Sequence, residues 1–224
     1  MKPSIVLCHG IWADASCFNK IIPILIARGH EVISVQYGLT NFDHDVAAIK
    51  RSISRVSSPV ILVGHSYGGA TITAAASDER VVGLVYIAAV APAVGETVNY
   101  QLNKFPSDIF TRVEVADGRA WMLPSGTEFF AGDLSPEEQK VVWATHYAPA
   151  ADLFDQQKIE VTTWDTKPSW YILCTEDHTV HPDLQRWVSK RMGATVTEIK
   201  SSHVPMISHP EVVVDVICQA VSAV

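Results

Sequence analysis

Val60-Ile61-Leu62-Val63-Gly64-His65-Ser66-Tyr67-Gly68-Gly69 carries the chain from an apolar run into a glycine-bounded serine. The run follows Pro59 and suits a strand buried on both faces. The alanine-rich stretch Ala70–Ser77 that comes after suits a helix. Gly64-x-Ser66-x-Gly68 therefore falls where a strand turns abruptly into a helix. Strained backbone at such a turn pushes the serine hydroxyl out of the sheet, and side chains two residues either side would collide, so glycine is needed there. The helix start adds the Tyr67 N–H and a positive dipole end beside any group that Ser66 attacks. Ser66 reads as a nucleophile. His65 points away from it at such a turn and reads as packing support.

Outward from this turn, strands and helices alternate. Ile5–Cys8, Glu31–Gln36 and Val81–Ala89 read as further strands, with helices over Ser16–Arg28 and Asp43–Val56, the latter capped by Asn41 or Asp43. Downstream, Ser169–Leu173 and Thr195–Ile199 read as strands, and Pro182–Arg191 and Glu211–Val221 as helices. Such alternation predicts an α/β fold, a mostly parallel twisted sheet with helices on both faces. Residues 93–167 interrupt it with dispersed aromatics and no strand pattern, so the chain 1–224 reads as one domain with 93–167 as an inserted, short helical cap. Ser135-Pro136-Glu137-Glu138 marks a helix start within it.

Partners for Ser66 must come from loops at the carboxyl ends of later strands. Tyr171-Ile172-Leu173-Cys174 runs into Thr175-Glu176-Asp177-His178, and Ile199-Lys200 runs into Ser201-Ser202-His203-Val204. His203 would take the Ser66 proton and return it to the leaving group, and Asp177 would orient the imidazole. Glu176 is the rival acid. His209, before Pro210, suits a structural role better than the base. A second oxyanion donor is expected from Cys8-His9-Gly10-Ile11-Trp12, where glycine lets the backbone approach the substrate. The Ile11 N–H is preferred, with the Trp12 N–H as the alternative.

Composition excludes several other classes. The net charge of −7 and the absence of a basic run give no footprint for nucleic acid. Four cysteines without a CxxC pair read as free thiols, and His178 with His181, outside any HExxH motif, are two histidines that alone do not make a zinc site. Met1–Ser4 leads into an apolar run too short for a signal peptide or a membrane span. A cytosolic protein without metal or cofactor is expected, and an apolar cap surface leaves a homodimer open.

The stretches LCHGIWADASCFNKIIPILIARGHEV, VILVGHSYGG, YILCTEDHTVHPDLQRW and SSHVPMISHPE resemble the α/β-hydrolase superfamily, in particular small esterases related to plant methyl-salicylate esterases and hydroxynitrile lyases. The resemblance implies an α/β-hydrolase fold, with Ser66, Asp177 and His203 as catalytic residues, the Ile11 and Tyr67 N–H groups as oxyanion donors, and Gly10, Trp12 and Val204 against the substrate. Lyases of this type carry threonine where this chain has Gly10 and lysine where it has Val204, so hydrolysis is favoured. The expected substrate is a small, mostly uncharged ester with an apolar part, although Lys104, Arg112, Arg119 or Lys167 of the cap could anchor an anion. A ligand receptor on the same fold, or a thioester, lactone or amide hydrolase, are the alternatives.

Overall fold

Apolar runs become strands, and the stretches with spaced apolar residues become helices. The computed structural model, which describes residues 2–156 and 159–224, begins with β1 (Ser4–Cys8), α1 (Ile22–Ala27), β2 (Val32–Val35), α2 (Phe42–Ile53), β3 (Val60–His65), α3 (Gly68–Ala75) and β4 (Val81–Ile87). Next come α4 (Val98–Lys104), β5 (Val113–Ala116), β6 (Arg119–Met122), α5 (Thr127–Ala131) and α6 (Pro136–Thr145). The chain ends with β7 (Ser169–Cys174), α7 (Pro182–Met192), β8 (Thr195–Ile199), α8 (Pro205–Ser208) and α9 (Pro210–Ala223).

One parallel sheet runs in the order β2-β1-β3-β4-β7-β8. β1, β3 and β7 are buried along their whole length. α2 and α3 pack near β1 and β3, and α7 and α9 cover β4 and β7. Each side chain so buried, such as Ile49 of α2 or Ile217 of α9, stabilises the fold by about 1.5–3 kcal/mol relative to exposure. The order places a switch point between β1 and β3, because the chain leaves β1 on one side for β2 and returns on the other. Loops diverge there and leave a crevice at the carboxyl ends. The register pairs Cys8 with Gly64, so the residues after β1 emerge beside Ser66.

Two expectations need correction. The stretch Ser16–Arg28 is not one helix: a 3₁₀ turn over Ala15–Phe18 precedes the six-residue α1. Pro23 sits in the first turn of α1 and has no N–H for a continuous ladder, while Phe18, Ile21 and Leu25 keep their apolar spacing and are buried. The stretch 93–167 is also not purely helical. β5 and β6 form an antiparallel hairpin, turned at Asp117 and Gly118, both at positive φ. Its strands are half exposed, so neither carries the apolar run that marks a buried strand. α6 does start where expected, with a full capping box between Ser135 and Glu138.

Candidate active site

Ser66 follows β3 at φ +56°, a left-handed conformation that costs a non-glycine residue free energy. Its backbone over-determines that geometry: the N–H donates to Ile87 O at 3.0 Å, and the carbonyl accepts from Gly69 at 2.9 Å and Val90 at 3.2 Å. A Cβ at Gly64 would lie 2.5 Å from the Gly68 carbonyl oxygen, and one at Gly68 would strike the Cys8 carbonyl. The loop after β1 presses in just as closely. A Cβ at Gly10 would lie 2.6 Å from Ser66 Cβ and 3.1 Å from its Oγ.

His203 and Asp177 meet at the same end of the sheet. His203 Nδ1 and Asp177 Oδ2 are 2.7 Å apart with both side chains fully buried. A carboxylate can only accept, so the His203 proton sits on Nδ1 and leaves the Nε2 lone pair free. That nitrogen is buried without a hydrogen-bond partner among the described residues. Asp177 Oδ1 accepts the Thr179 and Val180 N–H groups at 2.7 and 2.9 Å, and Oδ2 also accepts Gln185 Nε2 at 2.8 Å. Glu176 instead faces solvent beside Lys200, and His209 Nε2 meets the Lys200 carbonyl at 3.1 Å.

The two candidate loop donors differ. The Trp12 N–H is already given to Tyr147 O at 3.2 Å, and its indole N–H to Ala120 O at 2.8 Å. The Ile11 and Tyr67 N–H groups have no acceptor among the described residues. Trp12 itself adopts φ +53°, is almost fully buried, and packs against Phe110 and Phe130. Phe130 in turn meets the His203 ring edge-on at 5.1 Å.

Neutral histidines line the base of the site. His65 packs 4.6 Å from the His203 ring and bonds the His203 carbonyl through Nε2 at 2.8 Å. Its proton is therefore on Nε2. Burial, then the neighbouring His203, pushes its pKa well below the ordinary histidine value. His9 is pushed down to about 4 by burial, with its Nδ1 against the Gly10 carbonyl at 2.8 Å and its ring stacked on Tyr37. Tyr67 donates to Asp45 Oδ2 at 3.0 Å, and burial lifts that carboxyl to about 6 against the Tyr67 hydrogen bond.

Phe130 is one of the dispersed aromatics of 93–167 expected over the site, whereas Asp45, Asp133 and Gln185 carry no mark in the sequence. Asp133, between α5 and α6, accepts from the Ser202 N–H at 3.1 Å, from Ser201 Oγ at 3.0 Å and from Ser202 Oγ. It holds the loop that presents His203. Burial raises its pKa, but these hydrogen bonds outweigh burial and leave it below the usual carboxylate value. No motif or spacing marks these three polar residues, because only folding brings each of them to the site.

The four candidate anion anchors of the cap each have a partner. Lys104 lies over Trp187, Arg112 over Phe129, Arg119 bonds Ala148 O at 2.9 Å, and Lys167 bonds Val81 O at 2.6 Å. His178 packs edge-on to Phe129, and His181 caps α7. Among the described residues no group of three or more histidine, cysteine or acidic side chains could hold a metal ion, and no helix is long and apolar enough to cross a membrane.

Residues 5–216 match the model of the alpha/beta hydrolase family. Methylesterase 8 of Arabidopsis thaliana is 25% identical over 239 residues, covering 96% of this chain and 88% of that one. The alpha-hydroxynitrile lyase of the same plant is 24% identical over 245 residues, covering 96% and 95%. The crystal structure of a pyrethroid hydrolase from Sphingobium faniae superposes with a TM-score of 0.84 at 23% identity, over 99% of this chain and 98% of that one.

Proposed function

The chain belongs to the alpha/beta hydrolase family, and from that premise we propose that it is a serine carboxylesterase acting on uncharged esters. The observation that carries the proposal is the 2.7 Å contact between His203 Nδ1 and Asp177 Oδ2, which leaves Nε2 without a partner in a buried site. In this mechanism Ser66 Oγ attacks the ester carbonyl while His203 Nε2 takes its proton. The Ile11 and Tyr67 N–H groups bind the oxyanion. As the C–O bond breaks, His203 gives that proton to the departing alcohol. Water then attacks the acyl-enzyme, with His203 again as base, and releases the acid and free Ser66. The net change is ester plus water to acid plus alcohol.

Hydrolysis is favoured over cyanohydrin cleavage by Val204, a buried apolar residue where the lyase chemistry needs a cation to receive cyanide. Gly10 lets the loop after β1 approach Ser66 closely, where a side chain would collide with the Ser66 Cβ. The methylesterase and pyrethroid hydrolase relatives are named as ester-cleaving proteins, in keeping with this choice. With Lys104, Arg112, Arg119 and Lys167 each held by another group, an uncharged substrate fits best.

Turnover of p-nitrophenyl esters, with a fluorophosphonate adduct mapped to Ser66, tests the proposal. Ser66→Ala is expected to abolish labelling and to lower kcat by more than about 10³-fold. Labelling of Ser66 without turnover of any ester would instead identify a ligand receptor.

A further inference from the structure

Two cavities with largely apolar walls flank Trp12. One, of about 250 Å³, is lined by Trp12, Phe130, Val141 and Val204, and by the paired Lys20 and Glu138. The other, of about 290 Å³, is lined by Ile11, Trp12, Phe110, Val115, Phe154 and Asp155. Trp12 lines both: its ring centre is 6.2 Å from Phe130 of the first and 6.4 Å from Phe110 of the second. Two carbonyls of the 93–167 segment, Tyr147 and Ala120, hold it in place by its backbone and indole N–H groups. Together the cavities reach the size range of ordinary small-molecule sites. A larger cleft, about 950 Å³, opens behind Asp177 among Asp108, Glu128, Asp183 and Arg186. It is lined by Asp177 and by neither Ile11 nor Val204, and its mostly acidic walls do not suit an uncharged ester.

We infer that Trp12 is the partition of a two-sided substrate site, and that the substrate is an ester with a sizeable apolar group on both its acyl and its alcohol side. The inference rests on the serine-esterase proposal. The chemistry assigns the sides. His203 must reach the departing alcohol, and Val204 and Phe130, its chain neighbour and its ring contact, line the first cavity. That cavity takes the alcohol. The Ile11 and Tyr67 N–H groups fix the carbonyl oxygen, and the second cavity is lined by Ile11 and by Phe154, which packs 5.9 Å from the Tyr67 ring. It takes the acyl group. A methyl ester would leave the first cavity unfilled and forgo the burial of apolar surface there.

Two ratios of kcat/KM test this: p-nitrophenyl octanoate over acetate for the acyl side, and benzyl over methyl butyrate for the alcohol side. Both are expected to exceed about tenfold in the wild type. Val115 and Val141 are exposed at the rims of the acyl and alcohol cavities, so a tryptophan at either can block one cavity with the core intact. Val115→Trp should lower the acyl ratio at least about fivefold more than the alcohol ratio, and Val141→Trp the reverse. Trp12→Ala should raise relative activity on dodecanoate by joining the cavities. An alcohol ratio near one in the wild type, or both blocking variants shifting both ratios alike, overturns the partition while ester turnover leaves the serine-esterase proposal standing. Absence of Ser66-dependent turnover in either series overturns both.

Discussion

Along the carboxyl end of the sheet Ser66, Asp177, His203, His9 and His65 are all buried, whereas in 93–167 Val115, Trp121, Trp143 and Tyr147 stand exposed. The contrast extends to hydrogen bonding. Both oxygens of Asp177 are used by named donors, and the Ser66 backbone is tied at both its N–H and its carbonyl. The inserted segment meets the site through the carbonyls of Ala120 and Tyr147, the rings of Phe110, Phe130 and Phe154, and the carboxylate of Asp133. The proposed chemistry lies where geometry is over-determined. The segment proposed to shape the substrate site is attached through main-chain carbonyls, aromatic rings and one carboxylate.

The largest expected effect is at the rim. Asp177→Asn should lower kcat by about 10³–10⁴-fold, because the amide favours the wrong His203 tautomer. A loss below about tenfold in steady-state kinetics would break the contrast. Asp133→Ala should behave like a rim substitution although it lies in the inserted segment. Leaving the Ser202 N–H unpaired should cost about 1–3 kcal/mol in denaturant unfolding, and misplacing His203 should lower kcat up to about a hundredfold.

Asp45 sharpens the contrast through pH. Its folded pKa, about 6, is raised above the ordinary 3.8, so the folded state binds this proton more tightly than the unfolded chain. The stabilisation is complete below the unfolded value and is lost as pH rises through about 6. Asp45→Asn keeps an acceptor for Tyr67 and should flatten stability between pH 4 and 7, with a gain of about 1–2 kcal/mol at pH 7.5. Thermal unfolding across that range checks the sign, and a loss at pH 7.5 would refute it. The smallest effect belongs to the exposed cap: Trp143→Ser should change stability by less than about 0.5 kcal/mol.

Much of this was legible because local rules dominate at the sheet. Buried parallel strands require continuous apolar runs, and the elbow requires glycines at Gly64 and Gly68, so β3 and Ser66 announce themselves. Asp177 and His203 follow from loop position after β7 and β8. The β5–β6 hairpin was missed because its half-exposed strands have no apolar run, and the split before α1 because Pro23 interrupts a pattern whose spacing is still helical. Asp133 and Gln185 carry no local signal at all.

From the sequence by itself come the α/β alternation, the family and the three side chains expected to do the chemistry, since short-range sterics and strand burial leave their marks on neighbouring residues. Tertiary structure alone decided that the Trp12 N–H is taken by Tyr147 while the Ile11 N–H is left without an acceptor. It also brought Asp133 under the His203 loop and stood Trp12 between two cavities. These outcomes depend on contacts between residues more than a hundred positions apart in some cases, as from Trp12 to Ala120. Spacing along the chain does not encode such contacts, because only the closed sheet and the segment folded over it bring the partners together.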